Sequence, residues 1–304
     1  SDKQKVSKER IKNKIIFADW TASSVPCKFV DERINKIIPY YSNTHSNAYC
    51  GTLMKNLIMK TKKLIRTKYN LTDEHKIIFT GSGTTGAINH LIFCMNLLAI
   101  KTKINIFLSM LEHHSNYLPW INLVTKNKEM NSNNINIIFI PTINEFYFDE
   151  EWLFKELKNN SDSLNIISIT ACSNVIGIKY DIENIYSNIQ TTKKNNILLV
   201  DYACSAPYTK KLAHCDAIFM SPHKFLGGYS TPGLLIAKKS LFHNNLPFCP
   251  GGGCIQSVDH GNVIYAGDIE KRESGGTPNI IGIIKIYYVF KLHDMCIDLI
   301  EHNE

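Results

Sequence analysis

Short runs of consecutive apolar residues recur along the chain, separated by stretches whose apolar positions follow helical spacing. The runs at Ile77–Thr80, Ile104–Leu108, Ile135–Ile140, Asn165–Thr170, Asn196–Asp201, Ala217–Met220 and Leu234–Ala237 predict strands. Most are continuous rather than alternating, which is the pattern of strands buried on both faces. Helical patterns fall between many of them, over about Thr85–Leu98, Glu150–Lys158 and Ile182–Ile189. Together they predict an α/β domain with a largely parallel sheet and helices on both sides. Polar stretches at Lys126–Asn134 and Asn159–Ser163 predict surface loops, and no internal repeat is visible. Ile280–Leu292 predicts a long apolar helix that must pack either on this domain or on a following one.

With 304 residues, the chain can form one large α/β domain, or one such domain plus part of another. The net charge of +7 comes from lysines scattered among asparagines, as at Lys126, Lys128, Lys193 and Lys194. No basic face interleaved with aromatics accompanies it, so nucleic acid is not an expected partner. Nine cysteines stand far apart with no CxxC pair and an odd count. They suggest neither a zinc knuckle nor a disulfide framework; no metal site is expected, and reduced thiols in a cytoplasmic setting fit best. No apolar stretch reaches the ~20 residues of a membrane helix. Ser1–Lys5 lack the apolar core of a signal peptide; an organelle stays open if a targeting segment has been removed.

Three places carry candidate chemistry. Thr80-Gly81-Ser82-Gly83-Thr84-Thr85-Gly86 follows a strand and opens a helix. Glycines let backbone approach an anion, and the helix N-terminus offers free N–H groups; the same pattern also suits a simple helix cap. It lacks the GxxxxGK[ST] lysine, which argues against a P-loop nucleotide site. Asp201 ends an apolar strand, placed either to keep a cationic ring nitrogen protonated or to cap a helix. Lys224 in Ser221-Pro222-His223-Lys224 follows another strand among Pro222, Phe225 and two glycines. Partial desolvation there would favour the free amine that imine formation needs, whereas a lone lysine is otherwise a surface residue.

These segments occur in order with Asp19–Ser24, Asn43–Ser46, Glu112–Asn116, Pro119-Trp120, Ser173–Gly177, Asp201–Ala203, Gly251–Gly253 and Gly276–Asn279. From about Phe17 to Ile284 the set resembles the class V aminotransferase family, which includes the SufS-like cysteine desulfurases. The resemblance implies the large domain of a fold-type I, pyridoxal-phosphate (PLP) dependent transferase, with a mostly parallel mixed sheet flanked by helices. It implies a Lys224 imine with the cofactor, Asp201 against the pyridinium nitrogen, and His113 stacked on the ring. Asn174 would meet the phenolic oxygen, and Thr84, Thr85, Ser221 and His223 the phosphate. Thr277 would reach the phosphate of a neighbouring subunit, giving a homodimer with shared active sites.

By the same resemblance, residues 1–40 form an N-terminal segment packed on the large domain, residues 41–284 the PLP-binding domain, and residues 285–304 the start of a connection. The C-terminal small domain is expected to be largely absent, and with it the substrate-carboxylate arginine and the persulfide-forming cysteine. The expected reaction acts on a small amino acid, foremost cysteine, giving alanine and a persulfide for a sulfur-acceptor protein. Class V aminotransferase, another PLP lyase and a non-catalytic relative are the alternatives. One departure stands out: Cys204 occupies the position, three residues after the acid, where such desulfurases carry a glutamine. A buried structural cysteine is the favoured expectation there, with a nucleophile beside the cofactor as the alternative.

Overall fold

The protein is described here as a computed structural model covering residues 16–303 except Glu145, Lys193 and Lys194. The expectations for residues 1–15 and for the Lys193-Lys194 pair lie outside the described residues. The chain begins with α1 (Lys28–Ile37) and α2 (Tyr49–Lys68), then β1 (His75–Thr80), α3 (Gly83–Met95), β2 (Ile104–Ser109), α4 (His114–Glu129) and β3 (Ile135–Ile140). A small hairpin, β4 (Thr142–Ile143) and β5 (Tyr147–Phe148), leads to α5 (Glu150–Asn159) and β6 (Leu164–Thr170). Next come α6 (Ile182–Thr191), β7 (Asn196–Asp201), β8 (Ala217–Met220) and β9 (Gly233–Lys238). A second hairpin, β10 (Ile255–Asp259) and β11 (Asn262–Tyr265), precedes α7 (Ile269–Arg272) and α8 (Ile280–Asn303).

Seven strands form one sheet in the order β1-β9-β8-β7-β6-β2-β3. Strands β8, β7, β6, β2 and β3 run parallel, while β9 pairs antiparallel with both β8 and β1. Every predicted strand is present, and the sheet is the expected mostly parallel mixed one. Consecutive side chains along a strand go to opposite faces, and each face has its own core. Leu198 and Val200 join one apolar cluster with Ile167, Ile169 and, from α8, Ile284 and Phe290. Leu199 joins the other with Ile166, Phe219, Leu91 of α3 and Trp120 of α4. This is why the sequence runs are continuous rather than alternating.

Three polar residues inside the sheet form a row. Asn105, Asn165 and Asn196 sit in register on β2, β6 and β7. Asn105 Nδ2 donates to Asn165 Oδ1 at 3.1 Å, and Asn165 Nδ2 to Asn196 Oδ1 at 2.9 Å. The row lies near the amino ends of the strands, opposite the edge described below.

One expectation needs correction. Lys126–Glu129, assigned to a surface loop, are the last turn of α4, whose carbonyls satisfy the Met130 and Asn131 N–H groups. The apolar C-terminal helix packs against α1 and α2 of the same domain and runs on to Asn303. Among the described residues no helix is long and apolar enough to cross a membrane.

Where β9 starts, the backbone comes very close to the turn after β1. A Cβ on Gly233 would stand 2.2 Å from the Gly83 carbonyl oxygen and 2.6 Å from Thr80 Oγ1. Gly233→Ala must push the strand and turn apart. We expect destabilisation of about 1–3 kcal/mol, read as a lower urea midpoint at unchanged slope; an unchanged midpoint would show that the turn yields freely.

Candidate active site

The carboxyl ends of β1, β2, β6, β7 and β8 share one edge of the sheet, the place where open α/β sheets bind ligands. The loops leaving those ends carry every predicted site residue except Thr277.

Asp201 closes β7 and is 3% exposed. Its Oδ1 accepts from the Ala203 N–H at 2.8 Å. Burial pushes its pKa up to about 6; the Ala203 hydrogen bond, the positive charge of Lys224 and a hydrogen bond from Thr84 pull the other way. The positive charge of Lys224 is therefore near enough to act on the acid.

Lys224 ends a single 3-10 turn, Pro222–Lys224, entered from β8 and opened by Pro222. It is half-buried. Its own N–H donates to the Ser221 carbonyl at 3.0 Å. The preceding carbonyl, that of His223, accepts from both the N–H and the hydroxyl of Ser24, at 3.2 and 3.0 Å. The Gly227 N–H donates to the Val25 carbonyl at 3.0 Å. The segment before α1 thus straps the lysine loop from behind.

The turn before α3 meets this loop head-on. The Thr84 N–H donates to Ser221 Oγ at 3.0 Å, and the two hydroxyls are 2.9 Å apart. Gly83 has φ +52°, and a Cβ there would lie 2.8 Å from Ser221 Oγ and 3.0 Å from His223 Cε1. Bare backbone, a hydroxyl and an imidazole therefore border one small space at a helix N-terminus, which suits an anion. Burial and the charge of Lys224 hold His223 below its ordinary pKa. Thr84 is buried, with its side chain turned towards Ser221 and Asp201. Thr85 is exposed and shares a 2.7 Å hydrogen bond with Ser115.

His113 is the N-cap of α4, and its Nδ1 accepts from the Ser115 N–H at 3.1 Å. That bond leaves the proton of a neutral ring on Nε2, an assignment from the bonding pattern. Partial burial, then the charges of Lys224 and His114, lower its pKa, so the exposed ring is neutral around neutral pH. Asn174 is half-buried in the loop after β6, and Cys204 is half-buried in the loop after Asp201.

Glu112 is a site residue the sequence reading quoted within a motif but gave no role. Its carboxylate accepts from Ser109 Oγ at 2.5 Å, Asn116 Nδ2 at 2.6 Å and the Thr170 N–H at 3.0 Å. It therefore ties β2, β6 and α4 together beneath His113. Burial raises its pKa to about 7 against those three hydrogen bonds, with the charge of Asp201 adding to the rise. Its place directly before His113 at a strand end was the available signal.

Thr277 stands apart. It is exposed, and its hydroxyl accepts from Asn43 Nδ2 at 3.0 Å, beside His45, whose Nε2 lies 3.3 Å from the Gly276 carbonyl. Among the described residues no hydrogen bond joins it to Asp201, Ser221 or Lys224.

Comparison with known proteins gives a consistent picture. The family model "Aminotransferase class-V" matches residues 16–304. A cysteine desulfurase of Wigglesworthia glossinidia brevipalpis is 33% identical, the match covering 93% of this chain and 69% of that protein. A probable cysteine desulfurase of Borreliella burgdorferi is 30% identical over 95% of this chain and 68% of its own length. The cysteine desulfurase SufS of Plasmodium falciparum is 27% identical, with 83% of this chain matching 47% of that one. The chain thus spans between about half and two thirds of the length of these relatives. In fold it matches the apo structure of a cysteine desulfurase from Thermococcus onnurineus with a TM-score of 0.79, at 24% identity, over 93% of this chain and 68% of that one.

The Asp201 environment makes a stability prediction for the ligand-free chain. An acid whose folded pKa, about 6, lies above its unfolded value of roughly 3.9 costs stability as pH rises between those values, and the full cost persists above them. Asp201→Asn removes that cost while keeping an acceptor for Ala203. We expect it to stabilise the ligand-free protein by about 1–3 kcal/mol at pH 8, with the gain shrinking as pH falls from about 6 to about 4. Chemical denaturation across that range checks the sign; a gain that grows on acidification would contradict it.

Proposed function

Because the chain belongs to the class-V aminotransferase family, we propose that it is a pyridoxal-phosphate enzyme acting on a small amino acid, with cysteine desulfuration as the reaction best supported. The observation that carries the proposal is that a buried acid, Asp201, closes β7 and a half-buried amine, Lys224, stands on the turn after the neighbouring β8, at the same edge of the sheet. The names of its relatives, cysteine desulfurases from several bacteria and Plasmodium, supply the reaction.

The donor set fits the cofactor. The space bordered by Gly83, Ser221 and His223 would be filled by a single Cβ, as expected of a backbone cradle for a phosphate. When bound, pyridoxal phosphate supplies an aldehyde that condenses with amines and a pyridinium ring that draws electron density from the substrate Cα. Asp201 holds the proton on the ring nitrogen; its burial, costly in the ligand-free chain, becomes favourable beside a cation. Lys224 would hold the aldehyde carbon, and its amine would move the proton at the substrate Cα. His113, fixed by Ser115, covers the open face of the ring. Thr84, Thr85, Ser221 and His223 hold the phosphate, and Asn174 orients the phenolic oxygen. Thr277, already fixed on the surface by Asn43, serves the phosphate of a second copy, so the working unit is a homodimer. An acceptor protein's thiolate would take the sulfur as a persulfide, and the electron pair of the broken Cβ–S bond would stay on carbon and be protonated to give alanine.

A class V aminotransferase is the second reading, favoured by Cys204 in place of the glutamine of desulfurases. The chain mixed with pyridoxal phosphate should develop a visible absorbance band that Lys224→Ala lacks. With L-cysteine and dithiothreitol as acceptor it should release alanine and sulfide in equal amounts. Keto acid with amine transfer would move the assignment to the aminotransferase. A band that is absent, or that persists in Lys224→Ala, would remove the cofactor reading and leave a non-catalytic relative.

A further inference from the structure

About two turns along α3 from the Gly83 turn, three potential ligands meet. His90 and Cys94 are four residues apart and so share one face of α3. Glu273 arrives from the C-cap of α7. His90 is 4% exposed, Cys94 0% and Glu273 5%, and one ligand atom from each lies within 4.8 Å of the other two. We infer that His90, Cys94 and Glu273 form a binding site for a zinc-type divalent cation.

The chemistry of the set selects the ion. One imidazole nitrogen, one thiolate sulfur and one carboxylate oxygen suit zinc, whereas magnesium and calcium call for oxygen throughout. The outer partners are already in place. Arg272 Nε donates to Glu273 Oε1 at 3.1 Å, and the Phe248 N–H donates to Oε2 at 2.9 Å, so the carboxylate is aimed from behind. His90 stacks on the Phe248 ring with centroids 4.7 Å apart and planes 26° from parallel, which fixes the imidazole plane. Outer partners of this kind are what orient ligands in metal sites.

His90 Nε2 and Glu273 Oε2 are 3.0 Å apart. With metal–ligand bonds of about 2.0–2.2 Å in tetrahedral geometry, the two atoms need to separate by only roughly half an ångström. The cation replaces the proton between them and that of the Cys94 thiol, releasing both to solvent, and takes the sulfur as its third ligand. A cavity of about 710 Å³ is lined by both His90 and Glu273, giving an entry path and a fourth position for water. The sequence hid the site, because Glu273 lies 183 residues from His90 and no two cysteines are involved.

Its place in the fold suggests its use. Glu273 starts the segment that leads to Thr277, and α3 begins at the phosphate turn. A cation here ties the two together, independently of whether the cofactor reading holds.

The test uses the full chain, stripped with a chelator, free of pyridoxal phosphate and titrated with Co²⁺. We expect one equivalent to give visible bands of tetrahedral intensity with a thiolate-to-cobalt charge-transfer band in the near ultraviolet, both abolished by Zn²⁺. Cys94→Ser should lose the charge-transfer band, and Cys249→Ser, which alters the exposed thiol lining the same cavity, should keep it. His90→Asn, with the thiol intact, should weaken Co²⁺ binding at least about tenfold. Absence of the charge-transfer band in the wild type, its survival in Cys94→Ser, or unchanged affinity in His90→Asn would each overturn the inference and leave a closed hydrogen-bond cluster.

Discussion

A carboxylate buried at the end of a central strand is unstable as an anion unless something positive stands near it. Asp201 is held there by β7, between β6 and β8 in the middle of the sheet, and it cannot turn away to water. The surroundings read as responses to that constraint. Lys224 comes in on a short turn from the next strand, Thr84 reaches over from the helix after β1, and Ala203 folds its N–H back on the acid. The protein keeps a deficit of positive charge at this point, and a cationic aromatic ring is the group that would remove it.

Two further features keep the mouth in shape. The Glu112 carboxylate joins two strand ends to the start of α4, and Asn116 extends the network by accepting from Ser168 at 2.6 Å and from Trp120 at 3.3 Å. On the other side the Ser24–Val25 segment clamps the loop around His223 and Gly227. Satisfied networks of this kind restrict side chains to one arrangement, and a site for a planar ring depends on that restriction.

Much of this was legible in the sequence because strands buried on both faces announce themselves as unbroken apolar runs. The runs ending in Asp201 and Met220 also located the acid and the lysine, since chemistry in such sheets gathers after strand ends. Helix α2 was not assigned, since lysines and threonines interrupt its apolar positions and local periodicity is faint without the helices it packs on. The antiparallel insertion of β9 between β1 and β8 left no trace, since pairing direction is set by connections rather than composition. The His90, Cys94 and Glu273 group was out of reach for another reason: its meaning lies in contacts between elements distant along the chain.

The asparagine row has a consequence at the other end of the sheet. Strands that are apolar on both faces gain almost as much by sliding one residue past a neighbour as by staying put, because either face accepts either side chain. Amide groups at Asn105, Asn165 and Asn196 find each other in a single alignment only. A slip would orphan them in a dry interior and carry Ser109, Thr170 or Asp201 about 3.3 Å along its strand. Three amides far from any substrate thus act as the ruler against which the reacting groups are measured.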